Sequence, residues 1–158
     1  TNVNMQFVVL GTGDKKYEDM FHFLAYCHQE KVSANITFNA DLASEIYAGA
    51  DFLLMPSKSE PCGLSQLIAM RYGTIPIVRE TGGLVDTVPP INTETLDGRG
   101  FTFKVFNAHD MLGAIERAVA FYGDKTKLSA FRTRIMKYDS SWKIPADTYM
   151  GIYNELVN

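Results

Sequence analysis

Short apolar runs alternate with stretches of helical period along most of this chain. Met5-Gln6-Phe7-Val8-Val9-Leu10 favours a strand and is closed by Gly11-Thr12-Gly13-Asp14. Tyr17, Met20, Phe21, Leu24 and Cys27 then recur at helical spacing. The pattern predicts a second strand from Val32 to Phe38, a helix over about Leu42 to Ala48, and a buried strand Phe52-Leu53-Leu54-Met55 stopped by Pro56. Leu64, Leu67 and Ile68 mark another helix, Ile75-Pro76-Ile77-Val78 a fourth strand, and Phe101-Thr102-Phe103 a fifth. The remainder reads as helix. Met111, Leu112, Ile115, Ala118, Val119 and Tyr122 form one stripe, and Leu128, Phe131, Ile135 and Tyr138 a second. A last helix is expected to be capped by Ser141, with Pro145 in its first turn and Tyr149, Ile152, Tyr153 and Leu156 on a buried face.

Short apolar strands separated by helices predict an α/β fold: a Rossmann-like, doubly wound parallel sheet with helices on both faces. The stretch from Pro89 to Gly100, with Pro-Pro and Asp-Gly, reads as a surface loop rather than a boundary. Ligands of such folds sit outside the carboxyl ends of the strands, so the loops after Leu10, Thr37, Pro56 and Val78 are where chemistry is to be sought.

Composition narrows the candidates. At 158 residues the chain suits one domain. Lys and Arg number 15 against 18 Asp and Glu, a net charge of -3, so there is no broad basic footprint for nucleic acid or anionic lipid. No apolar run reaches the roughly 20 residues of a membrane helix. Cys27 and Cys62 are too far apart for a metal or redox pair and too few for a disulfide scaffold, which favours a reducing compartment. His22, His28 and His109 do not cluster at ligand spacing, and Asn35-Ile36-Thr37, though a glycosylation sequon, falls in a predicted strand. The first strand begins almost at once, which suggests a piece of something longer.

Three strand-to-helix junctions carry the candidate chemistry. In Gly11-Thr12-Gly13-Asp14-Lys15-Lys16 two glycines would let amides approach a phosphate. Lys16 stands where a dinucleotide fingerprint needs its third glycine, and no Gly-Lys-Ser/Thr follows. A tight βα turn accounts for this junction better than a nucleotide loop. In Glu60-Pro61-Cys62-Gly63-Leu64-Ser65, Pro61 suits a first helical turn, leaving the amides of Cys62, Gly63 and Leu64 as free donors at the positive end of a helix. A phosphate or polyhydroxyl ligand would lie there, with Glu60 as an acceptor for hydroxyls. The plain alternative is that Glu60 complements the dipole and Pro61 starts the helix. In Thr81-Gly82-Gly83, paired glycines permit close backbone approach, or simply a left-handed turn. The second and third junctions leave the same edge of one sheet.

Glu60-Pro61-Cys62-Gly63-Leu64-Ser65-Gln66-Leu67 with Met70-Arg71-Tyr72-Gly73-Thr74 resembles the glycogen and starch synthase family, its bacterial glycogen synthases most of all. The similarity continues through Pro76 to Val88, Ile46 to Asp51 and Asp139-Ser140-Ser141-Trp142, nearly the whole chain. It implies the C-terminal, nucleotide-sugar-binding half of a GT-B glycosyltransferase. The first strand region, with its diphosphate-binding Arg and Lys, and the N-terminal acceptor domain would be missing, and the isolated chain nearly inactive. The activity implied is transfer of glucose from ADP-glucose to the non-reducing end of an α-1,4-glucan, with retention and without metal or cofactor. The enzyme would be cytoplasmic, or plastidic in a plant.

Position by position, the resemblance makes Glu60 the residue that holds donor-glucose hydroxyls. The amides of Cys62, Gly63 and Leu64 would bind glucose and phosphate, with Ser65 adding a hydroxyl. Phe38, where the family usually has Tyr, would stack on adenine, and Thr81, Gly82 and Gly83 would line the leaving-group side. Related transferases carry a second Glu eight positions after the first. Here that place is Ile68, which argues against a two-carboxylate glycosidase mechanism. Two other readings stand beside this one: a non-catalytic sugar-nucleotide-binding module of the same fold, and an NAD-dependent oxidoreductase suggested only by Gly11 and Gly13.

Overall fold

A computed structural model describes residues 3–157. Five strands alternate with helices: β1 Phe7–Leu10, α1 Lys15–Cys27, β2 Val32–Asn35, α2 Ala40–Gly49, β3 Phe52–Met55, α3 Ser65–Tyr72, β4 Ile75–Arg79, α4 Gly83–Thr87 and β5 Phe101–Phe103. Three helices follow: α5 Ala108–Tyr122, α6 Lys125–Met136 and α7 Lys143–Val157. Every strand pairing is parallel, as runs of apolar residues joined by helices require.

The strands fall into two sheets, β1-β2 and β3-β4-β5. In the second, Phe52 pairs with Ile75 and Met55 with Val78, while Ile77 to Arg79 pair with Phe101 to Phe103. Pro76 lies in the central strand β4, an unusual place for a residue without an N–H. The register accounts for it. The Ile75 amide bonds to Asp51 beside β3 and the Glu80 amide to Phe103 in β5, so even-numbered amides face β5, and the β5 pairing begins only at Ile77.

The core is built on this three-stranded sheet. Met70, Ile75, Ile77, Phe101, Phe103, Ala114, Ile115, Ala118, Phe121, Leu128, Phe131 and Ile135 form one buried cluster. Edge-to-face rings run through it, with Phe101 and Phe121 centroids 5.7 Å apart and Phe121 and Phe131 5.9 Å apart. Among the described residues, none before Gln66 is buried. The flank is instead an open cavity of about 1220 Å³ between β1 and β3, lined by Val8, Leu10, Phe52, Leu54, Ile115 and Val119 among others.

Three expectations change. The second strand stops at Asn35, not Phe38: the Thr37 amide turns back to the Asn35 carbonyl at 3.0 Å, and Asn39 caps α2 through the Leu42 amide at 2.9 Å. Helix α3 starts at Ser65, so Pro61 lies before the helix rather than in its first turn. Its buried side is Gln66, Ala69 and Met70, while Leu64 and Ile68 are exposed. Helix α7 forms as expected, with the Lys143 amide 3.4 Å from Ser141 Oγ, but it buries none of its residues. Tyr153 is 55% and Leu156 78% exposed, because among the described residues no other element makes an extensive contact with α7.

Candidate functional site

In a parallel sheet all strands end on one edge; the first candidate junction leaves that edge of the β1-β2 sheet, and the second and third leave that of the β3-β4-β5 sheet. They differ in whether their backbone donors are already used. At the first, the Gly13 amide donates to Glu18 Oε1 at 2.8 Å, the Gly11 amide to the Asn35 carbonyl at 3.1 Å, and the Lys16 amide to the Asp14 carboxylate at 2.9 Å. Asp14 is the N-cap of α1. The chain's own Glu18, Asp14 and Asn35 carbonyl thus occupy the amides of both glycines and of Lys16, in keeping with the tight βα turn expected from the sequence.

The second junction is the opposite case. The amides of Cys62, Gly63, Leu64, Ser65 and Gln66 make no hydrogen bond to another described residue. Leu64, at the N-cap position of α3, supplies no side-chain bond to the helix start. Gly63 has a φ of +77°, open to glycine and strained for other residues, and Leu64 follows in the right-handed region. Such a change of hand turns successive N–H groups into a concavity suited to anions and oxygen-rich ligands. The free donors extend two residues beyond the three expected, because the helix starts late. Cys62 is an exposed free thiol.

Glu60 opens this loop half-buried, and its carboxylate has no hydrogen-bond or ion-pair partner among the described residues. Glu80, the other acid on this edge, is committed: its carboxylate accepts from Thr102 Oγ1 at 2.7 Å and lies 4.0 Å from Lys104 Nζ. The free carboxylate therefore stands beside the free amides.

The third junction is packed onto the second. The Gly83 amide lies 3.2 Å from the carbonyl oxygens of both Glu60 and Pro61. A Cβ on Gly83 would stand 2.8 Å from Cys62 Cα and 2.9 Å from the Pro61 carbonyl oxygen, and one on Gly82 would overlap the Glu60 carbonyl oxygen. The bare faces of Gly82 and Gly83 thus meet the Glu60 loop. Thr81 is half-buried beside them. Phe38 projects from the loop after β2, 90% exposed, at the carboxyl edge of the other sheet.

Two residues that the sequence reading passed over hold the loop. Arg79, at the end of β4, donates through Nη1 to the carbonyls of Ser57 at 3.1 Å and Lys58 at 2.9 Å, with its guanidinium over the Phe106 ring. Gln66, fully buried, donates through Nε2 to the carbonyls of Cys62 at 3.1 Å and Gly63 at 2.9 Å and to Thr87 Oγ1 at 3.1 Å. Thr87 Oγ1 in turn donates to the Gly83 carbonyl at 2.8 Å. The signal for Gln66 was a polar residue in the stripe Gln66, Ala69, Met70, Gly73, whose i, i+3, i+4, i+7 spacing marks a buried face.

Comparison with known proteins shows the family and the fold. The family model described as "Glycosyl transferases group 1" matches residues 1–130. A glycogen synthase of Clostridium novyi is 54% identical over 155 residues, 98% of this chain and 32% of that protein. One of Kosmotoga olearia is 52% identical over 155 residues, covering 98% of this chain and 33% of its own length. Among solved structures, the catalytic domain of starch synthase IV from Arabidopsis thaliana, bound to ADP and acarbose, superposes with a TM-score of 0.82 at 34% identity. That match covers 95% of this chain and 32% of the plant chain. The chain therefore spans about a third of the length of the proteins it matches.

Proposed function

Since the chain belongs to the group 1 glycosyl transferases, we propose that it is the nucleotide-sugar-binding, C-terminal part of a glycogen or starch synthase that moves glucose from ADP-glucose to the non-reducing end of an α-1,4-glucan with retention. The observation that carries this reading is the run of five unpaired amides from Cys62 to Gln66 beside the uncommitted Glu60 carboxylate. A glycosyl donor needs acceptors for its sugar hydroxyls and donors for the phosphate that departs with the bonding electrons.

In this reading Glu60 accepts from the glucose hydroxyls. The amides of Cys62, Gly63 and Leu64 meet glucose and phosphate, and the Ser65 hydroxyl adds to the phosphate. Phe38 offers its ring to the adenine, with the stacking face that a Tyr would have and without its hydroxyl. Thr81, Gly82 and Gly83 back the loop on the leaving-group side. Transfer then relies on orientation and on fixed dipoles aimed at the developing charge of ADP. Position 68 holds Ile, so no second carboxylate at that place pairs with Glu60.

The domain reading, a piece that lacks its first strand region and its acceptor domain, draws support from the opening between β1 and β3. Both strands have an unpaired edge there, both run parallel to their neighbours, and apolar side chains line the space. A five-residue strand fills roughly 17 Å by 4.8 Å by 10 Å, on the order of 800 Å³. The cavity of about 1220 Å³ has room for one strand and for side chains above it. One inserted parallel strand would join the two sheets into one. Among the described residues no helix is long and apolar enough to cross a membrane, and the two free thiols suit the cytoplasm, or a plastid in a plant.

Glu60→Ala in the full-length enzyme tests the site: turnover is expected to fall steeply with the fold unchanged by circular dichroism, and near-parental turnover removes Glu60 from its role. Ligand-observed binding of ADP, UDP and ADP-glucose to the chain itself tests the module; glucan elongation by this chain alone contradicts the domain reading.

A further inference from the structure

We infer that Gln66 is a positioning residue that keeps the donor-binding amides unpaired and aimed outward, an inference that rests on the reading of the Glu60 loop given above. In a helix continued backward from α3, the Cys62 carbonyl would accept from the Gln66 amide and the Gly63 carbonyl from the Leu67 amide. Here the Gln66 side chain takes both carbonyls through Nε2, at 3.1 Å and 2.9 Å, and the Leu67 amide pairs with Leu64 instead, at 3.0 Å. The carboxamide thus replaces the missing turn. It ends the helix at Ser65 and leaves the amides from Cys62 to Gln66 without internal partners.

Three details fix the side chain in this role. Nε2 has two hydrogens and three acceptors around it, the third being Thr87 Oγ1, whose own hydrogen goes to the Gly83 carbonyl. The amide nitrogen, not the oxygen, must therefore face the loop. Its Oε1 is buried without a partner, a penalty the fold accepts to bring the donor to the carbonyls. A Cβ on Gly63 would stand 2.6 Å from that oxygen, so the glycine and the glutamine require each other. Through Thr87 the same side chain ties the Gly83 turn to the Glu60 loop, and so sets the spacing between the two halves of the site.

The test uses the polypeptide encoded by the complete reading frame around this chain, with Gln66→Met, Gln66→Glu, Thr87→Val and Glu60→Ala compared at a temperature where circular dichroism shows each folded. Gln66→Met keeps the volume and removes the donor; kcat/KM for ADP-glucose is expected to fall about 100-fold, the cost of a small misplacement, with kcat taking the larger share. In Gln66→Glu the buried acid has a raised pKa, so activity is expected to recover as pH falls from about 8 to about 5.5, where the neutral acid donates one hydrogen bond. The parent and Gln66→Met should lack that acid limb. Where Gln66→Met does not fold, Thr87→Val, which removes one anchor, decides by the same loss of kcat.

Activity of Gln66→Met within about twofold of the parent overturns the inference while leaving the site intact, provided Glu60→Ala is inactive. A Gln66→Glu variant with no acid limb in kcat overturns it equally, since loss of packing alone would follow the melting temperature and not the turnover of folded enzyme. Parental turnover in Glu60→Ala instead sinks the reading of the whole loop.

Discussion

The Gly83 amide donates into the carbonyl of Glu60 at 3.2 Å, and this contact makes one site of two loops separated by helix α3 and strand β4. The contact is backbone to backbone. It exists because residues 82 and 83 have no side chains to hold the loops apart.

Gly83→Ala is accordingly expected to cost about 1–3 kcal/mol of stability in urea denaturation, since its Cβ would press on Cys62 Cα and the Pro61 carbonyl, both backbone atoms with little room to yield. Turnover of the full-length enzyme should fall more than stability does, because the displaced atoms belong to the Glu60 loop. Unchanged stability and turnover would show that the loops can part without consequence.

Phe38→Ala should leave the melting temperature unchanged, as the ring is 90% exposed. Its effect belongs to the ligand: stacking on a base is worth about 1–3 kcal/mol, so ADP affinity of the full-length enzyme is expected to drop roughly 5- to 150-fold by calorimetry. Replacement by Tyr should preserve affinity. Equal affinity in the Ala variant would place the base elsewhere.

Aromatic residues in the two last helices should behave oppositely in the isolated chain. Phe131 is fully buried and meets Phe121 edge-on, so Phe131→Ala is expected to cost about 3–5 kcal/mol. Tyr153→Ala, on the bare face of α7, should fall within about 0.5 kcal/mol of the parent. In a longer chain that covers α7 the second value should grow, and chemical denaturation of both forms measures the difference.

The sequence made the β-strands legible because Phe52 to Met55 and Ile75 to Val78 are apolar throughout, a pattern that suits strands flanked on both sides. Ends were less legible. Pro61 is permitted in a first helical turn, and nothing local said that Gln66 would claim the carbonyls that turn needs. The spacing in α7 predicts a buried face that the fold does not bury; periodicity reveals that a helix has an apolar side, not what lies against it. The division of the sheet was hidden for the same reason, since a strand's own residues do not name both neighbours. At the site, the convergence of the Glu60 and Thr81 loops followed from the parallel topology. Gln66 shows in the sequence only as a polar residue within a buried stripe, and Arg79 not at all, because the backbone carbonyls on which both act leave no trace in residue type.

Every buried side chain among the described residues falls between Gln66 and Ile135. Opening of the leading half therefore exposes little that was dry, and by itself this half resists unfolding least. Heating or a protease should take residues up to about Gly49 first, leaving the aromatic interior standing, and whatever binds across both halves would act as the clasp that makes them melt together.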